Sequence, residues 1–189
     1  SMNDLRSFKK YTIVSSIQCG GNRRAGMNRI ARTNGSPWNG NAISTAEWSG
    51  ARLSDILKEQ GVTVESCEEA GINHVIFVGD EDMQASIPIR KALSEYGDTL
   101  LAYEMNGNEI PRNHGYPIRA IVPGHVGVRN VKWVKEIRLS SEEATGPWQR
   151  GMSYKGFGPS IKSLEGLNVE AIPSLQEQPV SSMITMPAS

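Results

Sequence analysis

Ser16-Ile17-Gln18-Cys19-Gly20-Gly21-Asn22-Arg23-Arg24 carries a strand-like run into a glycine turn, with one cysteine at the junction and two arginines directly after it. Thiolate is the soft ligand that suits a redox metal, and Gly-Gly lets backbone N–H groups come close to a ligand. Arg23 and Arg24 add forked donors for a phosphate or another oxyanion. The stretch therefore reads as a metal thiolate beside an anion cradle, against the plainer reading of a lone cysteine as a small buried hydrophobe.

Charge is sorted outward from that turn. The 189 residues carry 20 basic and 20 acidic side chains, so the net charge is zero, which argues against non-specific nucleic-acid binding. Cys19 to Arg32 nevertheless holds Arg23, Arg24, Arg29 and Arg32 with no acid, and Arg112 to Arg138 holds six cations against Glu136 alone. Between the two windows gather Glu65, Glu68, Glu69, Asp80, Glu81 and Asp82. A small anionic ligand fits this pattern better than a long polyanion. With 38% hydrophobic residues the length suits one domain over 1–189, with Ser1-Met2 reading as a cloning remnant. No run reaches the roughly 20 apolar residues of a membrane span. Two cysteines without a C-x-x-C are too few for a disulfide framework or a four-cysteine zinc site, which points to an intracellular setting.

Local patterns predict a strand over Tyr11 to Cys19, a long loop over Asn22 to Asn41 and a helix over Ser49 to Gln60 with Ser49 as N-cap and Gly61 closing it. A strand follows over His74 to Gly79, then a short helix over Ser86 to Tyr96 with Pro88 in its first turn. Asn106-Gly107 predicts a type I′ hairpin after Thr99 to Met105. Further strands are expected over Ile118 to Val122 and Val131 to Leu139, the latter turning Lys132 and Trp133 to opposite faces. An extended tail begins at Ile172, with Pro173, Pro179 and Pro187.

Several segments together match one family in order and spacing from about Leu5 to the end: the turn above, Ile43-Ser44-Thr45-Ala46-Glu47-Trp48-Ser49-Gly50, Tyr103-Glu104-Met105-Asn106-Gly107, Arg112-Asn113-His114-Gly115-Tyr116-Pro117-Ile118-Arg119, Val131-Lys132-Trp133 and Tyr154-Lys155-Gly156-Phe157. With these the chain resembles the molybdenum-cofactor domain of sulfite oxidase, whose fold is α+β, mixed and strand-rich, and of which it would hold a part. The resemblance implies Cys19 as the protein thiolate on molybdenum beside the two dithiolene sulfurs of a pyranopterin (molybdopterin), and His114, Arg119, Asn130, Val131 and Lys132 as binders of the pterin and its phosphate. Arg23 and Arg24 would neighbour the same anion-binding wall. An acidic pterin contact should fall among Asp80, Glu81 and Asp82, with Asp80 chosen.

Tyr154 matches the family's active-site tyrosine, whose hydroxyl can hydrogen-bond a metal-bound oxygen and move protons. The implied activity is oxidation of sulfite to sulfate, with electrons passed singly to a haem protein such as cytochrome c or to another acceptor. The chain itself is expected to carry no haem. A nitrate reductase-type domain is the runner-up, disfavoured by the Tyr-Lys-Gly-Phe pattern, and a cofactor-free fragment serving only as an anion-binding or interaction module is the other alternative. The resemblance places the family's earlier half-domain, with a substrate-site arginine, and its C-terminal dimerisation domain outside the chain, so a homodimer is an expectation for the longer protein. It also implies a mitochondrial or peroxisomal compartment.

Other candidates read as structural. Cys67 sits among acids in Glu65-Ser66-Cys67-Glu68-Glu69, which would deactivate a thiol. His74 reads as a core or strand-edge histidine, His125 matches no role in the family, and the four dispersed tryptophans read as core or loop anchors.

Overall fold

The computed structural model describes residues 1–182 except 159 and 162. Pro187 of the expected extended tail lies outside the described residues. In chain order the elements are α1 (Met2–Ser7), β1 (Lys10–Gln18), α2 (Arg24–Met27), β2 (Ile43–Arg52), α3 (Leu53–Glu59), α4 (Val64–Glu69), β3 (His74–Val78), β4 (Gln84–Pro88), α5 (Ile89–Leu93), β5 (Leu100–Met105), β6 (Asn108–Glu109), β7 (Arg119–Ile121) and β8 (Glu136–Ser140). One antiparallel sheet runs β1-β2-β5 with β6 and β7 sharing the far edge of β5, and a second runs β4-β3-β8. The fold is α+β and strand-rich.

β5 explains how the layers stack. Its residues alternate, as a strand must, and both faces are covered. Leu101 and Tyr103 point into the main core with Leu53, Leu57, Val75, Phe77 and Ile87, so α3 and both sheets meet there. Leu100 and Ala102 point the other way, onto Trp48, Ile110 and Ile121. Arg119 lies under Trp48 on this second side, its guanidinium carbon 4.9 Å from the ring centre.

The hairpin forms as the Asn-Gly pair requires: Asn106 and Gly107 both take positive φ, 52° and 74°. The expected loop over Asn22 to Asn41 contains the one-turn helix α2, and three further expectations need correction. Ser49 does not cap a helix; β2 continues through Arg52, and α3 begins only at Leu53, with no side-chain cap. The register of β2 on β5 shifts between Ser49 and Gly50, where a Cβ on Gly50 would stand 2.1 Å from the Leu101 carbonyl oxygen. The small residues there serve a close strand contact, not a helix start. Likewise Ser86 to Pro88 belongs to β4, and the helix is confined to Ile89–Leu93 with Pro88 as its N-cap.

The third correction bears on the site. Val131 to Lys135 is not strand; only Glu136–Ser140 pairs with β3. Trp133 adopts φ 52°, and Lys132 stacks on its ring at 4.1 Å instead of facing the opposite side. Two tertiary hydrogen bonds hold this turn, Lys132 Nζ to the Asn113 carbonyl at 2.8 Å and Trp133 Nε1 to the Arg112 carbonyl at 2.8 Å. They offset the cost of a left-handed tryptophan, about 1–3 kcal/mol.

Candidate active site

Cys19 directly follows β1, its N–H donating to the Ala42 carbonyl at 2.9 Å. The turn closes with Asn22 N–H on the Cys19 carbonyl at 3.0 Å, and Asn22 Oδ1 accepts from Ala42 N–H at 3.0 Å. The cysteine is partly buried, and its sulfur accepts the Gly21 N–H at 3.4 Å. The two glycines are required for different neighbours. A Cβ on Gly20 would sit 3.2 Å from the Tyr154 ring, and one on Gly21 would strike the Arg24 guanidinium at 2.4 Å.

Tyr154 therefore lies on the bare surface of Gly20, with its hydroxyl beside the Cys19 sulfur. Burial raises the phenol above its ordinary range, the charge and hydrogen bond of the Cys19 sulfur raise it further, and the charges of Arg129 and Arg24 act in opposition. Its backbone is left-handed, φ 58°. The Tyr154 carbonyl accepts Leu175 N–H at 2.6 Å, and Lys155 bridges to Ser174, so the returning tail segment holds this conformation.

Beside this pair opens a cleft of about 510 Å³, whose walls include Asp80, Arg119, Asn130, Val131, Lys132 and Trp133. Gly127, also on its wall, ties it to the cysteine strand: a Cβ there would stand 3.0 Å from the carbonyl oxygen of Gln18, the residue before Cys19. Arg119 is buried and donates to the His114 carbonyl at 2.8 Å and the Asn130 carbonyl at 3.1 Å. Burial lowers its pKa to about 10. Burial, and then the charge of Arg119, hold Lys132 below the usual lysine range. Among the described residues neither cation has a carboxylate partner, and Arg119 Nε is buried with no partner at all. A buried cation without a counter-charge favours an anion.

The remaining candidates are placed as follows. Asp80 is ion-paired with Lys135, whose hydrogen bond and charge keep its carboxyl low; Asp80 and Glu81 line the cleft, whereas Asp82 is not among its lining residues. Asn130 spends its side chain inward, accepting Val122 N–H at 2.7 Å, while Val131 is a core residue. His114 is exposed in the turn Arg112–His114 and reaches the cleft only through its carbonyl on Arg119. Arg23 and Arg24 are not on the cleft wall. Arg23 donates to the Ser182 carbonyl at 2.6 Å, and Arg24 lies between Gly21 and Gly35 and donates to the Ser36 carbonyl at 2.9 Å.

Sequence reasoning gave no role to Arg129, Gln149 or Leu175. Arg129 is fully buried, donates to Gln149 Oε1, to the Trp148 carbonyl at 3.1 Å and to the Leu175 carbonyl at 2.8 Å, and places its guanidinium carbon 5.9 Å from the Tyr154 ring centre. Two of those three acceptors are main-chain oxygens, which leave no mark in sequence. Cys67 is buried in the main core, as expected. Among the described residues no three His, Cys, Asp or Glu side chains cluster to hold a metal, so a metal here would rest on the single thiolate and on ligands from outside the protein. No helix among them is long and apolar enough to cross a membrane.

These features fit the group the resemblance implies, a phosphate-bearing pterin that brings its own sulfur ligands: one sulfur donor from the protein, an adjoining cleft, and two cations without carboxylate partners in its wall. Comparison with known proteins agrees. The chain is 44% identical over 193 residues to "Sulfite oxidase, mitochondrial" of Rattus norvegicus, covering 99% of this chain and 34% of that protein. It is 36% identical to "Sulfite oxidase" of Arabidopsis thaliana over 97% of this chain and 48% of that protein. The sulfane dehydrogenase SoxCD from Paracoccus pantotrophus superposes with a TM-score of 0.69 at 26% identity, over 84% of this chain and 39% of that one. The chain thus spans about a third of the length of the rat relative. A family model described as "Oxidoreductase molybdopterin binding domain" matches residues 1–148, more than half of the chain, and the chain belongs to that family.

Proposed function

We propose that this chain supplies the molybdenum-binding part of a sulfite-oxidising enzyme. The observation that carries the reading is the meeting of Tyr154, far along the chain, with Cys19, at the end of a first strand that abuts, at Gly127, a cleft with Arg119 and Lys132 in its wall. Cys19 would bind molybdenum through Sγ, with the Gly21 N–H orienting the sulfur from behind as outer donors do for metal ligands. Arg119 and Lys132 would hold the pterin phosphate, and the Asp80 carboxylate would accept from pterin N–H groups.

When bound, the molybdenum-pyranopterin group supplies the two-electron chemistry that adds an oxygen from water to sulfite. The protein's part is positional and electrostatic. Tyr154 Oη would donate a hydrogen bond where substrate oxygens gather, and its burial keeps the hydroxyl in the protonated, donating form. The nearby charge of Arg24 favours an anionic substrate over neutral molecules. The two electrons leave singly to a haem protein or another acceptor. The name of the rat relative suggests a mitochondrial setting, and a dimer would form through parts beyond this chain.

The test is elemental and pterin analysis of the purified chain beside a form as long as the relatives, followed by turnover with sulfite and with nitrate. Stoichiometric molybdenum and sulfite-dependent turnover are expected in the long form. Nitrate turnover without sulfite turnover would transfer the assignment to a nitrate reductase type, and absence of molybdenum from both forms would overturn it.

A further inference from the structure

We propose that Arg129 is a positioning residue, which holds Tyr154 in place against Cys19 by fastening three separate chain segments together. The proposal deepens the reading above and rests on it for its catalytic meaning. Arg129 lies in the short turn Gly127–Arg129, fully buried, and its fork reaches Gln149 Oε1, the Trp148 carbonyl and the Leu175 carbonyl. Those acceptors come from the segment leading into Tyr154 and from the tail residue whose N–H holds the Tyr154 carbonyl. One guanidinium thus fixes both ends of the support on which Tyr154 keeps its left-handed backbone.

The choice of a cation is informative. Burying a charge is costly, and a neutral donor would fasten loops at less expense. Among the described residues Arg129 has no carboxylate salt-bridge partner, Glu143 acting on it only at a distance, and the ring 5.9 Å away is that of Tyr154. A planar fork matches three divergent oxygens and presents charge toward an aromatic ring, whereas a lysine ammonium gathers its donors at one point. Gly127, in the same turn, abuts the Gln18 carbonyl, so the turn that aims Arg129 at Tyr154 also touches the strand that ends at Cys19.

The experiment is a double-mutant cycle of Arg129→Lys and Tyr154→Phe, first read on the chain without cofactor. Iodoacetamide alkylation of Cys19 is followed by mass spectrometry of its peptide, with amide exchange at Leu175 and at Phe77 of the core. Arg129→Lys should speed Leu175 exchange on the order of tenfold while Phe77 holds, and should change the Cys19 alkylation rate. In the Tyr154→Phe background the alkylation effect of Arg129→Lys should vanish, because a residue acting through another is non-additive with it. In the loaded long form, kcat for sulfite should show the same non-additivity. Should Arg129→Lys fail to fold, Gln149→Met, which removes one acceptor and leaves the cation, takes its place in the cycle.

Additive effects, an unchanged Leu175 amide, or equal opening at Phe77 would each overturn the proposal. The alkylation cycle needs neither metal nor sulfite, so the two readings fail separately. A long form without molybdenum alongside a non-additive alkylation cycle would remove the catalytic role and leave the positioning. An active long form with an additive cycle would remove the positioning alone.

Discussion

At the scale of single residues, the site depends on what two glycines leave open. Gly20 admits the Tyr154 ring and Gly21 admits the Arg24 guanidinium, so the Cys19 sulfur emerges between an aromatic hydroxyl and a cation. Cys19 is only partly buried and belongs to none of the hydrophobic clusters, so little packing energy depends on its sulfur. Cys19→Ser should therefore leave the melting free energy within about 1 kcal/mol of the parent while molybdenum content of the long form falls to background, since a hydroxyl is a poor ligand for a thiophilic metal. Metal analysis beside a thermal melt checks both halves, and retained molybdenum would remove Cys19 from the ligand set. Cys19 was legible because a strand, a glycine turn and two arginines are contiguous in sequence. Tyr154 was legible only through the resemblance, because its partners come from Gly20 and Leu175, which are remote in sequence and carry no distinctive side-chain chemistry. Arg129 was not legible at all: its acceptors are mostly main-chain oxygens, and an arginine in a basic window gives no sign of being buried.

At the scale of elements, tertiary contact overrode local pattern wherever the backbone had to approach another backbone closely. β1 emerged from its alternation, β3 from its apolar run, and β5 from its place beside the Asn106-Gly107 turn. β2 did not, because Ser49-Gly50-Ala51 resembles the start of a helix while serving a tight crossing of β5. Gly50→Ala should be severe for that reason. A methyl group 2.1 Å from the Leu101 carbonyl oxygen cannot be accommodated by moving a side chain, so β2 and β5 must part at their register shift. The expected loss is about 2–3 kcal/mol, or more if pairing beyond Gly50 is abandoned. Urea titration measures it, and a loss below about 0.5 kcal/mol, the range of ordinary surface substitutions, would mean the strands are not in this register. The stretch Val131 to Lys135 follows the same logic, its alternation implying a strand that two hydrogen bonds to the carbonyls of Arg112 and Asn113 bend into a cleft wall.

At the scale of the whole molecule, the returning segment from Ile172 to Ser182 binds the parts together, and its hold depends on pH. It bridges His125 to Glu177, accepts Val126 N–H at the Gln176 carbonyl at 2.9 Å, and sends Gln178 N–H to the Gly124 carbonyl at 2.8 Å. His125 is buried beneath it, and burial first, then the charge of Lys91, lower its pKa from 6.5 to about 4, against the smaller opposing effects of the Pro123 backbone and the Glu177 charge. His74 is lowered too, chiefly by burial. A histidine kept neutral in the fold binds its proton more weakly there than in the unfolded chain. Between pH 6.5 and about 4 the unfolded state therefore holds more protons, and stability rises with pH across that window. The contribution is complete above the unfolded value and is lost as pH falls toward the folded one. For His125 it amounts to about 3 kcal/mol at most. Glu143 adds a loss in more acid solution: burial alone would raise its carboxyl, but donors from Ser174, Gln176 and Gln149 outweigh it and hold the carboxyl low, so its support disappears as the group protonates. Denaturant titrations at several pH values should show unfolding free energy climbing from pH 4 to 6.5, and His125→Leu should flatten most of that rise while leaving the smaller share of His74. An equally steep profile in His125→Leu would mean that the strap is not seated on a neutral histidine.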